Sequence, residues 1–332
     1  MPRIPRLFFI AATLTLLLGM PEPGLAQSTL RIAAYNIRHG RGMDGEVDLA
    51  RIADVLRALD ADVITLQEVD NRTERTGRVD QVAVLAELLG YRGFHGAHRS
   101  YQGGEYGNAI LTRSPVHAVR THRIPPASGS ALAVHEVEIE LGPHTISVIS
   151  VHLAGSAEER LAQADSITSF FAAADHPVVL AGDFNGRRDG PVLDRLQRDW
   201  RILEKSADVN TYPSDAPDRE IDFIMVRPAS SFEVIEHRVI DESVASDHRP
   251  ILAVVRVGVS STSGRGPPNQ LNIESGRPVF TSTDSTSKTV SRVPLSTICC
   301  IRSNCGRKRS IIISRWAAGR LCSRCSSCAS DC

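Results

Sequence analysis

The chain has 332 residues, 42% of them apolar, and a formal net charge of zero. That is enough for one large domain or two ordinary ones with a sizeable core, and the lack of any internal repeat excludes a solenoid or a propeller. The neutrality hides a division: carboxylates outnumber Lys and Arg from Gln27 to Val257, and the balance reverses beyond Val257. An acidic main segment disfavours a tight, non-specific nucleic-acid binder and suits a protein that gathers divalent cations.

Arg3 and Arg6 precede a short apolar run from Leu7 to Met20, followed by Pro21, Pro23 and the small-residue pattern Gly24-Leu25-Ala26. This predicts a signal peptide over 1–26, cleaved after Ala26, and an exported product, periplasmic or secreted. The run is short for a membrane span, and no other transmembrane candidate follows. Thr29 to Asn36 reads as a strand. Asp48 can cap a helix whose Leu49, Ile52, Val55, Leu56 and Leu59 form an apolar stripe. Asp62 to Leu66 is a short buried strand, and Val82 to Leu89 a second helix stopped by Gly90. Asn108 to Thr112 is another strand. Val134 to Leu141 alternates like a half-exposed strand, with Thr145 to Val151 as its hairpin partner across Gly142-Pro143.

Further on, Ala157 to Ala174 predicts a helix, Val178 to Ala181 a buried strand, and Ile221 to Val226 and Ile251 to Val257 the last two strands. Strands alternating with helices, with hairpins between them, predict a layered α/β domain with mixed sheets over 27–257. From Gly258 the periodicity ends, and 258–332 reads as a low-complexity, disordered tail. All seven cysteines fall there, so the main domain rests on its core rather than on disulfides. Cys322, Cys325 and Cys328 have metal-like spacing but no partner ligands around them.

Six short segments carry the chemistry: Tyr35-Asn36-Ile37, Leu66-Gln67-Glu68-Val69, Gly107-Asn108-Ala109-Ile110-Leu111, Ser150-Val151-His152-Leu153, Gly182-Asp183-Phe184-Asn185 and Ser246-Asp247-His248-Arg249-Pro250, joined by Arg219-Glu220-Ile221-Asp222-Phe223-Ile224. Singly, each is a solvated loop carboxylate, a core histidine or a turn. Together they end apolar strands in Asn, Glu, Asp or His time after time, which gathers oxygen and imidazole ligands at one rim.

The set, in this order and spacing, resembles the endonuclease/exonuclease/phosphatase superfamily, the deoxyribonuclease I-like proteins, over about Thr29 to Val257. Its runs YNIRHGRGMDG, LQEVD, YQGGEYGNAIL, LAGDFN and SDHRP are similar to an exported bacterial branch of metal-dependent hydrolases. The resemblance implies a four-layer α/β sandwich with two facing β-sheets and helices outside. It implies a divalent-metal-dependent phosphoesterase using Mg²⁺ or Mn²⁺, with Glu68, Asn36 and Asp247 at the metal. By the same resemblance Asp183 positions or deprotonates the attacking water, Asn185 donates to a phosphate oxygen, and His152 contacts phosphate. His248 lies beside the phosphate, held by Asp222. Either His248 or Asp183 can be the base. Where some nuclease members carry an acid, two residues past the first motif's Asn, this chain has Arg38, which either contacts substrate phosphate or pairs with a nearby carboxylate. Asn108 is a further substrate candidate, and His39, Asp44, Arg78, Asp80 and the loop Tyr101–Tyr106 are candidates for lining the cleft.

A non-catalytic module on the same fold is the competing class, but the ligand set is intact. A serine hydrolase lacks its Gly-x-Ser-x-Gly elbow. The expected substrate is a phosphodiester or phosphomonoester. A nuclease is the less favoured form because no basic stripe with interleaved aromatics is visible. A monomer is expected.

Overall fold

The computed structural model describes residues 28–125 and 132–258. The expected signal peptide and the tail beyond Gly258 lie outside the described residues. Among the described residues no helix is long and apolar enough to cross a membrane.

The elements in order are β1 (Ser28–Asn36), α1 (Leu49–Leu59), β2 (Val63–Asn71), α2 (Gln81–Leu89), β3 (Arg92–Tyr101), β4 (Gly104–Thr112), β5 (Val116–Ile124), β6 (Leu132–Leu141), β7 (His144–His152), α3 (Ala157–Phe170), β8 (Val178–Asp183), α4 (Pro191–Leu196), β9 (Arg201–Ile202), β10 (Asp222–Arg227), β11 (Phe232–Val239) and β12 (Ile251–Val257), with short 3₁₀ turns between. They form two six-stranded mixed sheets, ordered β11-β12-β1-β2-β4-β3 and β5-β6-β7-β8-β10-β9.

Three apolar clusters account for the layering. Between the sheets lie Leu30, Ile32, Val63, Val137, Val148, Val179, Ile224 and Val255. The far face of the first sheet packs Tyr35, Ile64 and Leu66 on Ile52, Leu56 and Leu85 of α1 and α2. The far face of the second packs Val151, Leu180 and Phe223 on Ala164 and Ile167 of α3 and on Val192, Leu193 and Leu196 of α4. Helices, sheet, sheet, helices: the domain is the expected four-layer α/β sandwich. Strands buried on both faces read as continuous apolar runs, which is why VVLA and VITL were legible. Deleting one such side chain, Leu56→Ala for example, would cost about 2–5 kcal/mol.

Local signals hold where the structure places them. Asp48 accepts from the Arg51 N–H at 2.9 Å and starts α1, and Gly90 ends α2 in the left-handed region. Ser156 and Glu159 close a capping box on α3, which ends at Phe170 rather than at Ala174.

β6 departs from its half-exposed reading: Glu136 is buried, accepting from His122 and from the Ser147 hydroxyl. The strands that sequence patterning did not predict are β3, β5, β9 and β11, which are the four sheet edges. Edge strands bury little, so runs such as RGFHGAHRSY and VHAVRTHRI carry charge and lack an apolar pattern.

Candidate active site

Six of the seven sequence segments bring side chains together at one rim of the sandwich. A cleft of about 400 Å³ is lined by Glu68, Asp183, Asn185, Asp247 and His248, with Arg187, Tyr212, Arg219 and Ile221. Asn36 and Glu68 come from the first sheet, and His152, Asp183 and Asp222 from the second. The loops following β8 and β11 supply Asn185, Asp247 and His248.

Glu68 does not end its strand. β2 runs on to Asn71, and Glu68 lies in a β-bulge between Leu66 and Val69 with φ 57°. A bulge inserts one residue and re-aims a side chain, and here it turns the carboxylate toward the cleft. The Asn36 amide nitrogen sits between the two sheets' acids, donating to Glu68 Oε1 at 3.1 Å and to Asp183 Oδ2 at 3.1 Å. The same nitrogen is 3.5 Å from His248 Nε2. The Asn36 side-chain oxygen Oδ1 accepts from the Arg38 N–H at 3.1 Å, so Asn36 orients Glu68 here, and holding a cation through that oxygen would need the amide to rotate.

Asp183 ends β8 and lies beside His152 in the parallel register with β7 and opposite Asp222 in the antiparallel register with β10. Its Oδ2 is 3.6 Å from His152 Nε2 and 3.7 Å from His248 Nε2. Gly182 before it has φ 144°, and a side chain there would collide with the Val151 carbonyl oxygen. That close approach is the physical reason for glycine in GDFN. Asn185 meets Asp183 through a turn rather than through strand alternation. With φ 46°, it gives its backbone N–H to Asp183 Oδ1 at 2.8 Å and its amide to Leu153 O at 2.8 Å and Asp183 Oδ2 at 3.3 Å.

His248 Nδ1 donates to Asp222 Oδ2 at 2.9 Å, and the Thr211 hydroxyl donates to the same oxygen at 2.5 Å. Both Asp222 and His248 are buried. Burial alone would lower the imidazole, but the charge and hydrogen bond of Asp222, with Asp183 and Asp247 behind, push His248 up to about 10. Burial raises Asp183, with the Asp222 charge adding and His248 and His152 opposing. The Ser246 hydroxyl donates to Asn36 O at 2.7 Å and pins the loop to β1. Lys205, fully buried, pairs with Glu220 at 2.5 Å and donates to Asp222 O at 2.9 Å. Thr211, Lys205, Tyr212 and Arg187 are site residues that sequence reasoning missed. They stand in loops, with no periodicity to mark them.

Other expected positions have partners of their own. Arg38 pairs with Asp247 at 3.5 Å, which realises the ion-pair reading. Asn108 is buried between the sheets and donates to Ser150 O at 3.1 Å. It acts as an inter-sheet strut, away from the cleft lining, and this corrects its candidacy for substrate. Asp44 pairs with Arg51, Arg78 with Glu74, and Asp80 caps α2.

The endonuclease/exonuclease/phosphatase family model matches residues 33–248, which span every one of these groups. The chain belongs to this family. Family members are phosphoesterase and nuclease hydrolases that depend on a divalent metal. Solved structures share the fold at low identity. An endonuclease/exonuclease/phosphatase from Beutenbergia cavernae is 23% identical, with TM-score 0.55, over 70% of this chain and 72% of that one. A humanized TDP2 of D. rerio is 20% identical, with TM-score 0.57, over 68% and 98%. A mannosyl-6-phosphatase from Bacteroides thetaiotaomicron is 17% identical, with TM-score 0.54, over 68% and 99%. No curated protein matches the chain.

The family's metal fits the residues present. Glu68 and Asp247 offer hard carboxylate oxygens on the open cleft, suited to a cation that keeps water or phosphate ligands. Asp183, Asp222 and His248 also bring ligand atoms within 4.8 Å of one another. We assign that trio to hydrogen bonding, because a cation there would have to replace the short His248–Asp222 bond in a fully buried position.

Proposed function

We propose that the protein is an exported Mg²⁺- or Mn²⁺-dependent phosphoesterase that hydrolyses a phosphodiester or phosphomonoester by in-line attack of water. The observation that carries this reading is the Asn36 amide bridging Glu68 of one sheet and Asp183 of the other, with His248 alongside. Oxygen ligands and a protonated donor then face one cleft.

The cation, held by Glu68 and Asp247, would neutralise charge on the phosphate oxygens. Asp183 holds the attacking water, fixed by the Asn36 amide and the Asn185 N–H on its two oxygens. In its charged state His248 donates to the phosphate, and Asp222 keeps that charge in place and directs Nε2 into the site. This favours Asp183 over His248 as the proton acceptor. His152 braces Asp183 from β7. Arg38, now on Asp247, would be released when a cation takes that carboxylate.

The test is hydrolysis of bis(p-nitrophenyl) phosphate and p-nitrophenyl phosphate by the purified protein, with Mg²⁺ or Mn²⁺ and with EDTA. Turnover that persists unchanged in EDTA would remove the metal-dependent reading. Export is checked by fractionating the producing cell, where retention of the uncleaved chain in the cytoplasm would argue against it.

A further inference from the structure

The cleft has an unequal perimeter. Its floor is acidic, with Glu68, Asp183 and Asp247, while one wall carries Arg187, Tyr212 and Arg219. The acids have uses in the proposed chemistry; the arginines do not. Arg219 is already committed: it pairs with Asp218 at 2.7 Å and lies over the Tyr212 ring at 5.1 Å. Tyr212 in turn packs on His248, ring centroids 4.9 Å apart, so the wall begins where the proposed phosphate donor ends.

Arg187 differs. It follows Asn185 by two residues in the turn leading to α4, and its carbonyl accepts from the Gly190 N–H at 2.9 Å, which anchors its backbone. Its guanidinium makes no hydrogen bond or ion pair among the described residues. The neighbouring Arg188 is paired with Glu204 and does not line the cleft. Asp218 is held below the usual carboxylate range by the hydrogen bond from Arg219, with the charge of Arg187 also contributing. Both guanidiniums therefore bear on Asp218, which already has Arg219 as its partner. An unpaired guanidinium on an anchored backbone in the wall of a cleft is a fork for planar oxyanions.

We propose that Arg187, backed by Arg219 and Tyr212, forms a second anion subsite, so that the substrate is a phosphate ester bearing a further phosphate or carboxylate beside the scissile group. This rests on the phosphoesterase reading for which phosphate occupies the metal centre. It narrows the substrate class from phosphate esters in general to doubly anionic ones.

Binding of alkanediol monophosphates and bisphosphates, with a short and a long linker, tests it by calorimetry in Mg²⁺ on the full chain. Wild type should bind at least one bisphosphate about tenfold more tightly than its monophosphate, the lower end of what a hydrogen bond to a charged group contributes. Arg187→Ala should abolish that preference. Arg188→Ala, which removes the same charge one residue away, should keep it. Equal affinity of wild type for mono- and bisphosphates at both linker lengths overturns the subsite, as does equal loss in the two variants. Hydrolysis of bis(p-nitrophenyl) phosphate by wild type is followed in parallel. Its absence, together with absence of p-nitrophenyl phosphate hydrolysis, would sink the phosphoesterase reading, whereas the binding comparison reports on the subsite alone.

Discussion

Removing Asp222 and His248 singly and together tests whether the two act as one unit. The His248 imidazole and the Asp222 carboxylate are buried, 2.9 Å apart, and the imidazole is held charged. His248→Ala removes a preorganised donor to the phosphate, which costs roughly 10²–10³ in kcat, about 3–4 kcal/mol. Asp222→Asn keeps the shape and can still turn an oxygen toward both His248 and Thr211, but it loses the charge. A hydrogen bond to a charged group contributes about 1.5–3 kcal/mol, so kcat should fall about ten- to a hundredfold. Independent residues would multiply these losses to roughly 10³–10⁵ in the double variant. If Asp222 works only through His248, the double variant should match His248→Ala. The assay is kcat on an aryl phosphodiester at saturating Mg²⁺, read beside the unfolding midpoint, because His248→Ala strands a buried carboxylate and will itself lower stability. Multiplicative losses refute the coupled unit. Loss of stability with normal turnover in the folded fraction would show that both residues are structural.

Glu68→Gln should lower kcat/KM by about a hundredfold or more at low metal, as one cation ligand loses its charge, with partial recovery in excess Mg²⁺ or Mn²⁺; a loss that no metal concentration relieves would contradict Glu68 as a ligand. Gly182→Ala should destabilise by about 3 kcal/mol or more, since its left-handed φ and the Val151 carbonyl leave no room for a methyl, and an unchanged urea midpoint would count against it. Burial holds His237 down to about 3 and His135 to about 4, each neutral in the fold. Because their folded values are depressed, the stability they contribute is complete above about pH 6.5 and falls as pH drops toward those values. At pH 5 each should have cost about 2 kcal/mol, so urea unfolding equally stable at pH 7 and pH 5 would refute it.

Much of this protein is written locally. Asp48, Gly90 and Ser156 mark helix ends by their own chemistry, and strands buried on both faces announce themselves as apolar runs. The residue types of the cleft are legible too, because Asn36, Glu68, Asp183, Asp222, Asp247 and His248 interrupt such runs with groups a core would reject. What sequence could not decide is which polar groups meet. Glu68 faces the cleft because a bulge inserts a residue into β2, and Asn185 meets Asp183 because the chain turns after the strand. Arg38 finds Asp247 across more than half the chain. The same holds for Arg75, in the turn after β2: it stacks on Tyr101 and Tyr106 of the β3–β4 hairpin only once β4 pairs with β2. Edge strands, loops and inter-sheet contacts depend on long-range pairing rather than on periodicity. The sequence determined the layers and supplied the ligands; the packing of two sheets against each other decided their geometry, because that is the step that brings residues 36, 68, 183 and 248 within hydrogen-bond reach.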